Sequence, residues 1–493
     1  MRRLLNQTEN RQLLLAEILQ DNENWITLFE LSKILGCSVR VLKDDLAHFK
    51  NNITELPIET SNNGIRLNKV NNRGLKSLYQ YILYHSTAYN LLEIIFLEDR
   101  ISVVNLIERL YVSSSTIYRL IDQINEIVEE RNFKIETNPC RIVGSESEIR
   151  YFFYNYFHEK YSGLEWPYIN LDENGVDLFL KFFIDFSHME TDFAYYNIFK
   201  TVSAVNLMRY KQGYFIDHSD ILINFDEIIP DLSPYQEDFA YFEANNHVKV
   251  NNTLIQQIFT PYISEKFSLN YERLIEKTKV QQDLSIEVTF LNDMLENLSK
   301  THQLSLKNKE TVLINTINAA YLEYKEPRSG YILHNYNQEF ALKIKSEFPH
   351  FYEDLYQSTK NFRKIMKKPL TDDGIYFIMH IIFIFWEDLL PELRRKFDKI
   401  KILVISDCHV SHSETIKDVI EYEFNEQIVV DVYSEMKLEH DVLKQLPYDL
   451  IVANFPLPAL ENQRTVYVED LPTFFDLAKI RKQVDDIILE RMT

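Results

Sequence analysis

The sequence predicts a multidomain, mainly α-helical chain that opens with two winged helix-turn-helix domains and closes with a small α/β domain. Three observations predict it. The order helix, helix-turn-helix, hairpin occurs twice before residue 150. From residue 151 to about 397 the chain is aromatic-rich, almost free of glycine, and apolar at helical spacing. The remainder alternates short apolar runs with helical stretches, the pattern of a parallel α/β sheet.

The second helix-turn-helix, between Ile101 and Gly144, organises the N-terminal part. Leu106, Ile107 and Leu110, then Ile117, Leu120, Ile121 and Ile124, give one apolar stripe on each of two helices. Only Tyr111-Val112 breaks them, and Ser113 is placed to cap the second helix with its hydroxyl. Such a second helix enters a major groove in helix-turn-helix proteins. Ser114, Ser115, Tyr118 and Arg119 fall off the stripe and face outward; hydroxyls and guanidinium groups of this kind reach bases and phosphates. Phe133 to Val143, turning at Asn138-Pro139, reads as a two-stranded wing that carries Arg141.

The first copy follows the same order. Arg11 to Leu19 reads as a helix, and Thr27 and Glu30 stand at capping-box spacing. Leu28, Leu31, Ile34 and Leu35 are expected on one buried stripe, and Gly36 can take the left-handed conformation that ends a helix. Ser38 caps the next helix, with Val39, Leu42 and Leu46 inward and Arg40, Lys43 and Asp44 outward. Ile58 to Leu67 is expected to be a hairpin turning at Asn63-Gly64, with Arg66 on its second strand.

Beyond Gly144 the helical body divides near residue 285, and amphipathic helices at Phe199–Tyr214 and Val312–Leu322 sit at comparable places in its two halves. Ser219 to Asn246 is acidic, carries Pro230 and Pro234, and reads as an irregular connection. In the last part Lys399–Ser406, Ile428–Val432 and Tyr448–Asn454 read as strands, with a helix at Ser413–Tyr422. Ligands of such sheets sit beyond the carboxyl ends of strands, which directs attention to Ser406, Asp407, Cys408, His409 and His412.

Composition excludes several classes. The chain of 493 residues holds 9 glycines, none closer together than Gly64 and Gly74, so the clustered glycines of dinucleotide and P-loop folds are missing. Cys37, Cys140 and Cys408 have no CxxC spacing, which argues against a disulfide framework or zinc site and fits a reducing cytoplasm. No metal or cofactor is expected. The N-terminus lacks a sustained apolar stretch of the secretory kind, and the longest apolar run, Ile375 to Trp386, is too short to span a bilayer and contains His380. The formal charge is −21, yet residues 1–150 hold 18 Lys+Arg against 20 Asp+Glu, so the acidity belongs to the body. The N-terminal part can bind DNA if its basic groups share a face.

Taken together, these motifs resemble the Mga/AtxA family of PRD-containing virulence transcription regulators of Gram-positive bacteria. The resemblance rests on Val41-Leu42-Lys43-Asp44-Asp45-Leu46, Asn62-Asn63-Gly64-Ile65-Arg66, Tyr111 to Arg119, Gly144 to Phe153 and Glu165-Trp166-Pro167, and it covers essentially the whole chain. It implies winged helices at 1–70 and 71–150, PRD-like (phosphotransferase-regulation) helical bundles at 151–284 and 285–397, and an enzyme IIB-like α/β domain at 398–493. It also implies double-stranded promoter DNA as partner, phosphocarrier proteins of the sugar phosphotransferase system as donors to histidine, and a homodimer or larger assembly through the C-terminal domain. The expected protein is a cytoplasmic activator and not an enzyme.

Within that resemblance, His380, in Tyr376-Phe377-Ile378-Met379-His380, is the first phosphoacceptor candidate and His188 the second. Tyr195-Tyr196 and Asn315 stand where relatives can carry histidines, and His218, His247, His302 and His334 read as solvated. Ser406 stands where a catalytic enzyme IIB has its cysteine, with no glycine in the loop, so the domain reads as non-catalytic. The DNA-facing set is Arg40, Lys43, Arg66, Ser114, Ser115, Tyr118, Arg119 and Arg141. The competing function is an RNA-binding antiterminator, which shares PRD modules but begins with a small β domain. An enzyme is the third class, and no nucleophile–base–orienter signature supports it.

Overall fold

Capping residues set the helix starts in the N-terminal part. Asn6 and Glu9 exchange side-chain and backbone hydrogen bonds in a capping box that opens α1, Gln7–Asp21. Thr27 and Glu30 do the same for α2, Leu28–Ile34, as their spacing predicts. Ser38 opens α3, Val39–Asn52, and the wing follows as β1, Ile58–Ser61, and β2, Gly64–Leu67. After α4, Lys76–His85, the order repeats: α5, Thr87–Leu97; α6, Val103–Leu110; α7, Ser114–Val128; β3, Phe133–Thr137; β4, Cys140–Gly144. The fold is that of a computed structural model, which describes residues 1–22, 24–53, 56–68, 75–163, 165–187, 192–216, 233–259, 262, 267–322, 330–395, 399–424, 428–438, 447–457 and 463–492.

The described chain is mainly helical with small sheets. It forms two compact units. The first comprises Met1–Ser285 and Ile317–Tyr336; the second comprises Ile286–Thr316 and Asn337–Thr493. In the first unit, α8 (Glu146–Tyr161), α9 (Glu173–Ser187), α10 (Phe193–Lys211), α11 (Gln236–Asn246) and α12 (Asn252–Phe259) extend the core of the winged helices, and α13 (Tyr271–Thr278) follows with Leu274 buried. Phenyl rings fill it: Phe183 stacks on Phe259 at 4.0 Å and Phe96 on Phe153 at 4.1 Å. Packed rings of this sort bury large apolar areas without glycine-dependent close approach. The returning segment is held from within the same unit. Glu159 accepts the amides of Ile332, Leu333 and His334, at 2.8, 2.9 and 3.0 Å, and Arg2 donates to the carbonyl of Leu333.

The division expected near residue 285 falls inside a helix, α14, Gln282–Thr301. The boundaries expected at 70/71 and 397/398, and Pro230 of the acidic connection, lie outside the described residues. Of that connection, Gln236–Asn246 is helical (α11), because Phe239 and Phe242 anchor it in the core.

The second unit contains α15 (Lys309–Leu322) up to Thr316, then α16 (Tyr336–Glu347) from Asn337, α17 (Pro349–Ile365), α18 (Asp372–Phe385) and α19 (Leu389–Arg394). It ends in a parallel sheet of β5 (Ile400–Ile405), β6 (Ile428–Val432), β7 (Leu450–Ala453) and β8 (Arg464–Tyr467), ordered β6-β5-β7-β8. Ile400, Ile402 and Val404 pack with α20 (Val410–Phe424) and α21 (Phe474–Met492), while Leu403 and Ile405 join the other face. The fourth strand escapes the sequence pattern because Arg464–Tyr467 is short and carries one buried residue, Val466. No helix among the described residues is long and apolar enough to cross a membrane.

Candidate nucleic-acid interface

The two winged helices share one frame, and a constant offset of 75 residues maps the first onto the second. Cap Thr27 corresponds to Ser102, cap Ser38 to Ser113, and the left-handed residue Gly36 to Tyr111. The bridge Ile26–Ile65 corresponds to Ile101–Cys140. Leu31, Leu42 and Phe49 correspond to Leu106, Ile117 and Ile124, and all six are fully buried. Each bridge ties the residue just ahead of the helix-turn-helix to the wing, so both elements keep one orientation.

Two expectations on the first copy are corrected. Ile34 is 63 % exposed instead of lying on the buried stripe, because α2 is short and only Leu31 is enclosed. The hairpin turns at Asn62-Asn63, with Ser61 paired to Gly64. Gly64 is needed for a different reason: a Cβ there would lie 2.2 Å from the Ile26 carbonyl oxygen, and its φ is +127°.

The recognition helices present different chemistry. On α3, Arg40, Lys43 and Asp44 are exposed, while Asp45 turns inward to take Arg11 (2.6 and 3.0 Å) and Gln12 (3.1 Å). On α7, Ser114, Ser115, Tyr118 and Arg119 are exposed, and the Ser113 cap also contacts the Ser115 hydroxyl at 2.8 Å. Arg40, Lys43 and Arg119 make no ion pair among the described residues. The wing arginines differ. Arg66 donates to Glu59 at 2.7 Å and lies over the Trp25 ring at 4.5 Å, and Arg141 donates to Glu136 at 2.8 Å. Each wing therefore carries its own counter-charge in the free protein.

Spacing could not reveal the charged cluster beneath the second wing, since its members are far apart in sequence. Arg209 reaches Glu146 at 2.7 Å and the Ile142 carbonyl of β4 at 3.2 Å. Arg150 reaches Glu146 at 2.9 Å and the Gln257 carbonyl at 2.7 Å. Arg209 and Arg150 are 1 % and 4 % exposed, so the wing is clamped to α10 and α12 by charges held out of water. Glu93 of α5 similarly takes Tyr156, Tyr161 and Lys160 from α8, and burial pushes the Lys160 ammonium pKa down.

In the second unit, His380 lies on α18 with the Phe340 ring 4.5 Å away, and burial lowers its pKa to about 4, so it is neutral near pH 7. His188 lies outside the described residues, as does His218. His302 is not solvated: its side chain is 15 % exposed, lies 2.9 Å from Asp354 and meets the edge of Phe351. At the carboxyl end of β5, Ser406 Oγ lies 2.7 Å from His412 Nδ1, whose Nε2 lies 2.6 Å from the Asp470 carbonyl oxygen. His409 turns instead to Ser411, and exposed Cys408 lies beside the Asp407 carboxylate.

Paired winged helices with outward hydroxyl and basic side chains define a helix-turn-helix DNA-binding transcription regulator. Comparison with known proteins gives the family. The helix-turn-helix domain of the M protein trans-acting positive regulator (Mga) matches residues 8–61, the Mga helix-turn-helix domain matches 71–157, and the Mga PRD domain matches 173–389. A trans-acting regulator of Streptococcus pneumoniae serotype 4 is 28 % identical over 96 % of this chain and 97 % of its own length. The capsule synthesis positive regulator AcpB of Bacillus anthracis is 21 % identical over 96 % and 98 %. The anthrax toxin expression trans-acting positive regulator of the same organism is 21 % identical over 96 % and 97 %. The chain belongs to the Mga/AtxA-like family of PRD-containing transcription regulators, and the antiterminator alternative is not favoured.

Proposed function

We propose that this protein is a cytoplasmic activator of virulence-associated genes that grips promoter DNA with several winged helices at once. The observation that carries this is the 75-residue repeat, which presents two outward recognition helices on one frame. Arg40, Lys43 and Arg119 neutralise phosphates, and Ser114, Ser115 and Tyr118 lie nearest the bases. Arg66 and Arg141 join them by exchanging Glu59 and Glu136 for phosphate oxygens. Phosphate contacts by these cations make binding salt-sensitive, and their small number per protomer makes it dependent on several protomers acting together.

The working division is winged helices at 1–70 and 71–150, PRD-like bundles at 151–284 and 285–397, and an enzyme IIB-like domain at 398–493 that assembles the homo-oligomer. The parallel order β6-β5-β7-β8 and its flanking helices support that last assignment. His380 accepts phosphate from a phosphocarrier protein of the sugar phosphotransferase system. A neutral imidazole is the nucleophilic form, and the phosphate adds almost two negative charges to a half-buried helix. His188 is the second acceptor.

A gel shift on duplex DNA at two salt concentrations tests the DNA-binding part, with wild type beside Arg119→Ala and Lys43→Ala. Binding by wild type that weakens in either variant supports it; wild type that ignores duplex at low salt sinks it. Incubation with phosphorylated phosphocarrier protein tests the other part, where His380→Ala must lose the incorporated phosphate.

A further inference from the structure

Tyr111 occupies a place that a glycine fills in the other copy. Both residues sit at the turn between the two helices, both are left-handed, and φ is +61° at Gly36 and +54° at Tyr111. A left-handed conformation costs a non-glycine residue about 1 kcal/mol or more, and Asn or Asp would hold it with less strain. The ring offers nothing to the core in return, since Tyr111 is 92 % exposed. Space is not the constraint at this turn, because a Cβ on Gly36 would meet nothing within 4 Å. The frame accepts glycine, yet the second copy holds a strained phenol in solvent.

Its position states what the phenol is for. Tyr111 lies two residues before the Ser113 cap of α7, at the end whose exposed residues are Ser114, Ser115, Tyr118 and Arg119. That end of a recognition helix approaches the duplex, and groups just before it lie near the sugar-phosphate backbone. We infer that the Tyr111 hydroxyl donates a hydrogen bond to a DNA phosphate and fixes the angle at which α7 enters the groove. The donor is uncharged, so it releases no counterion; it positions the helix and reads no base. This rests on the DNA-binding function above and adds a residue that the recognition helix itself does not contain.

The full-length protein is titrated on a labelled A·T-rich duplex of about 200 base pairs, at several salt concentrations, as wild type, Tyr111→Gly, Tyr111→Phe and Arg119→Ala. Thermal melting runs alongside. Tyr111→Gly and Tyr111→Phe are each expected to bind about tenfold more weakly, the loss of one hydrogen bond to a charged group. Their salt slope stays at the wild-type value, whereas Arg119→Ala lowers it by about 1. Tyr111→Gly melts within about 3 °C of wild type, because glycine takes the turn without strain. Wild-type binding by Tyr111→Gly, with Arg119→Ala weakened, overturns the inference and leaves the DNA-binding function standing. Wild-type binding by Tyr111→Phe overturns the hydroxyl–phosphate contact. Failure of wild type to bind at the lowest salt overturns both.

Discussion

The first and second winged helices have caps, buried positions and an isolated β-bridge at matching places, yet they face DNA with different chemistry and are anchored differently. The first presents Arg40 and Lys43, which make no ion pair among the described residues, and secures α3 through the partly accessible pair Arg11–Asp45. The second offers, on α7, hydroxyls with one cation, Arg119, and is clamped by a cluster in which both arginines are buried. A duplicated frame can therefore divide its work. The copy with more charge supplies non-specific hold, and the copy fixed to the helical body supplies orientation and base contact.

The largest expected effect tests the anchoring. Glu146→Ala leaves Arg150 and Arg209 without their shared carboxylate and should cost about 3–5 kcal/mol, read from urea denaturation. Asp45→Ala in the first copy should cost less, about 1–3 kcal/mol, since Arg11 can reach water. An equal or greater loss for Asp45→Ala would reverse the ranking of the two anchors.

The next effect tests the division of labour. Tyr118→Ala should weaken duplex binding about tenfold and unequally across a panel of sequences. Lys43→Ala should weaken it by a similar factor but uniformly, with the salt slope lower by about 1. If Lys43→Ala changes the sequence ranking and Tyr118→Ala does not, the roles are exchanged.

Removing a cap should cost about 1 kcal/mol in either copy. Ser38→Ala and Ser113→Ala, compared by thermal melting, are expected to agree; a much larger loss at Ser113 would mean that its contacts with Ser115 and Thr116 carry part of the fold. The smallest effect concerns the wings. Glu59→Gln and Glu136→Gln free Arg66 and Arg141 at a stability cost of at most about 1 kcal/mol, as for exposed ion pairs. Each should tighten DNA binding a few-fold at low salt. Unchanged affinity in both would show that the wings stay off the duplex.

The helix-turn-helix frames were legible because their signals are local. Ser38, Ser113 and the Thr27–Glu30 box act within one turn, and stripes such as Leu106, Ile117 and Ile124 need only helical periodicity. The errors have equally local causes. Ile34 fits the period of α2, but a helix of 7 residues encloses only Leu31, and Gly64 read as a turn residue when a neighbouring backbone demanded it. His302 looked solvated among polar neighbours, while its partners Asp354 and Phe351 come from another helix.

The sequence by itself determined where helices begin, which faces are apolar, and that the winged-helix order occurs twice, since each of these depends on residues a few positions apart. Tertiary structure alone decided how charge is distributed among partners. Arg40 and Arg119 make no ion pair among the described residues, Arg66 and Arg141 meet glutamates across their hairpins, and Arg209 is brought to Glu146 and Ile142 from 63 and 67 residues away. An ion pair depends on distances of a few ångströms between groups that the chain order leaves far apart. For that reason charge counts described the N-terminal part as nearly neutral, and the fold shows which of its cations remain available to DNA.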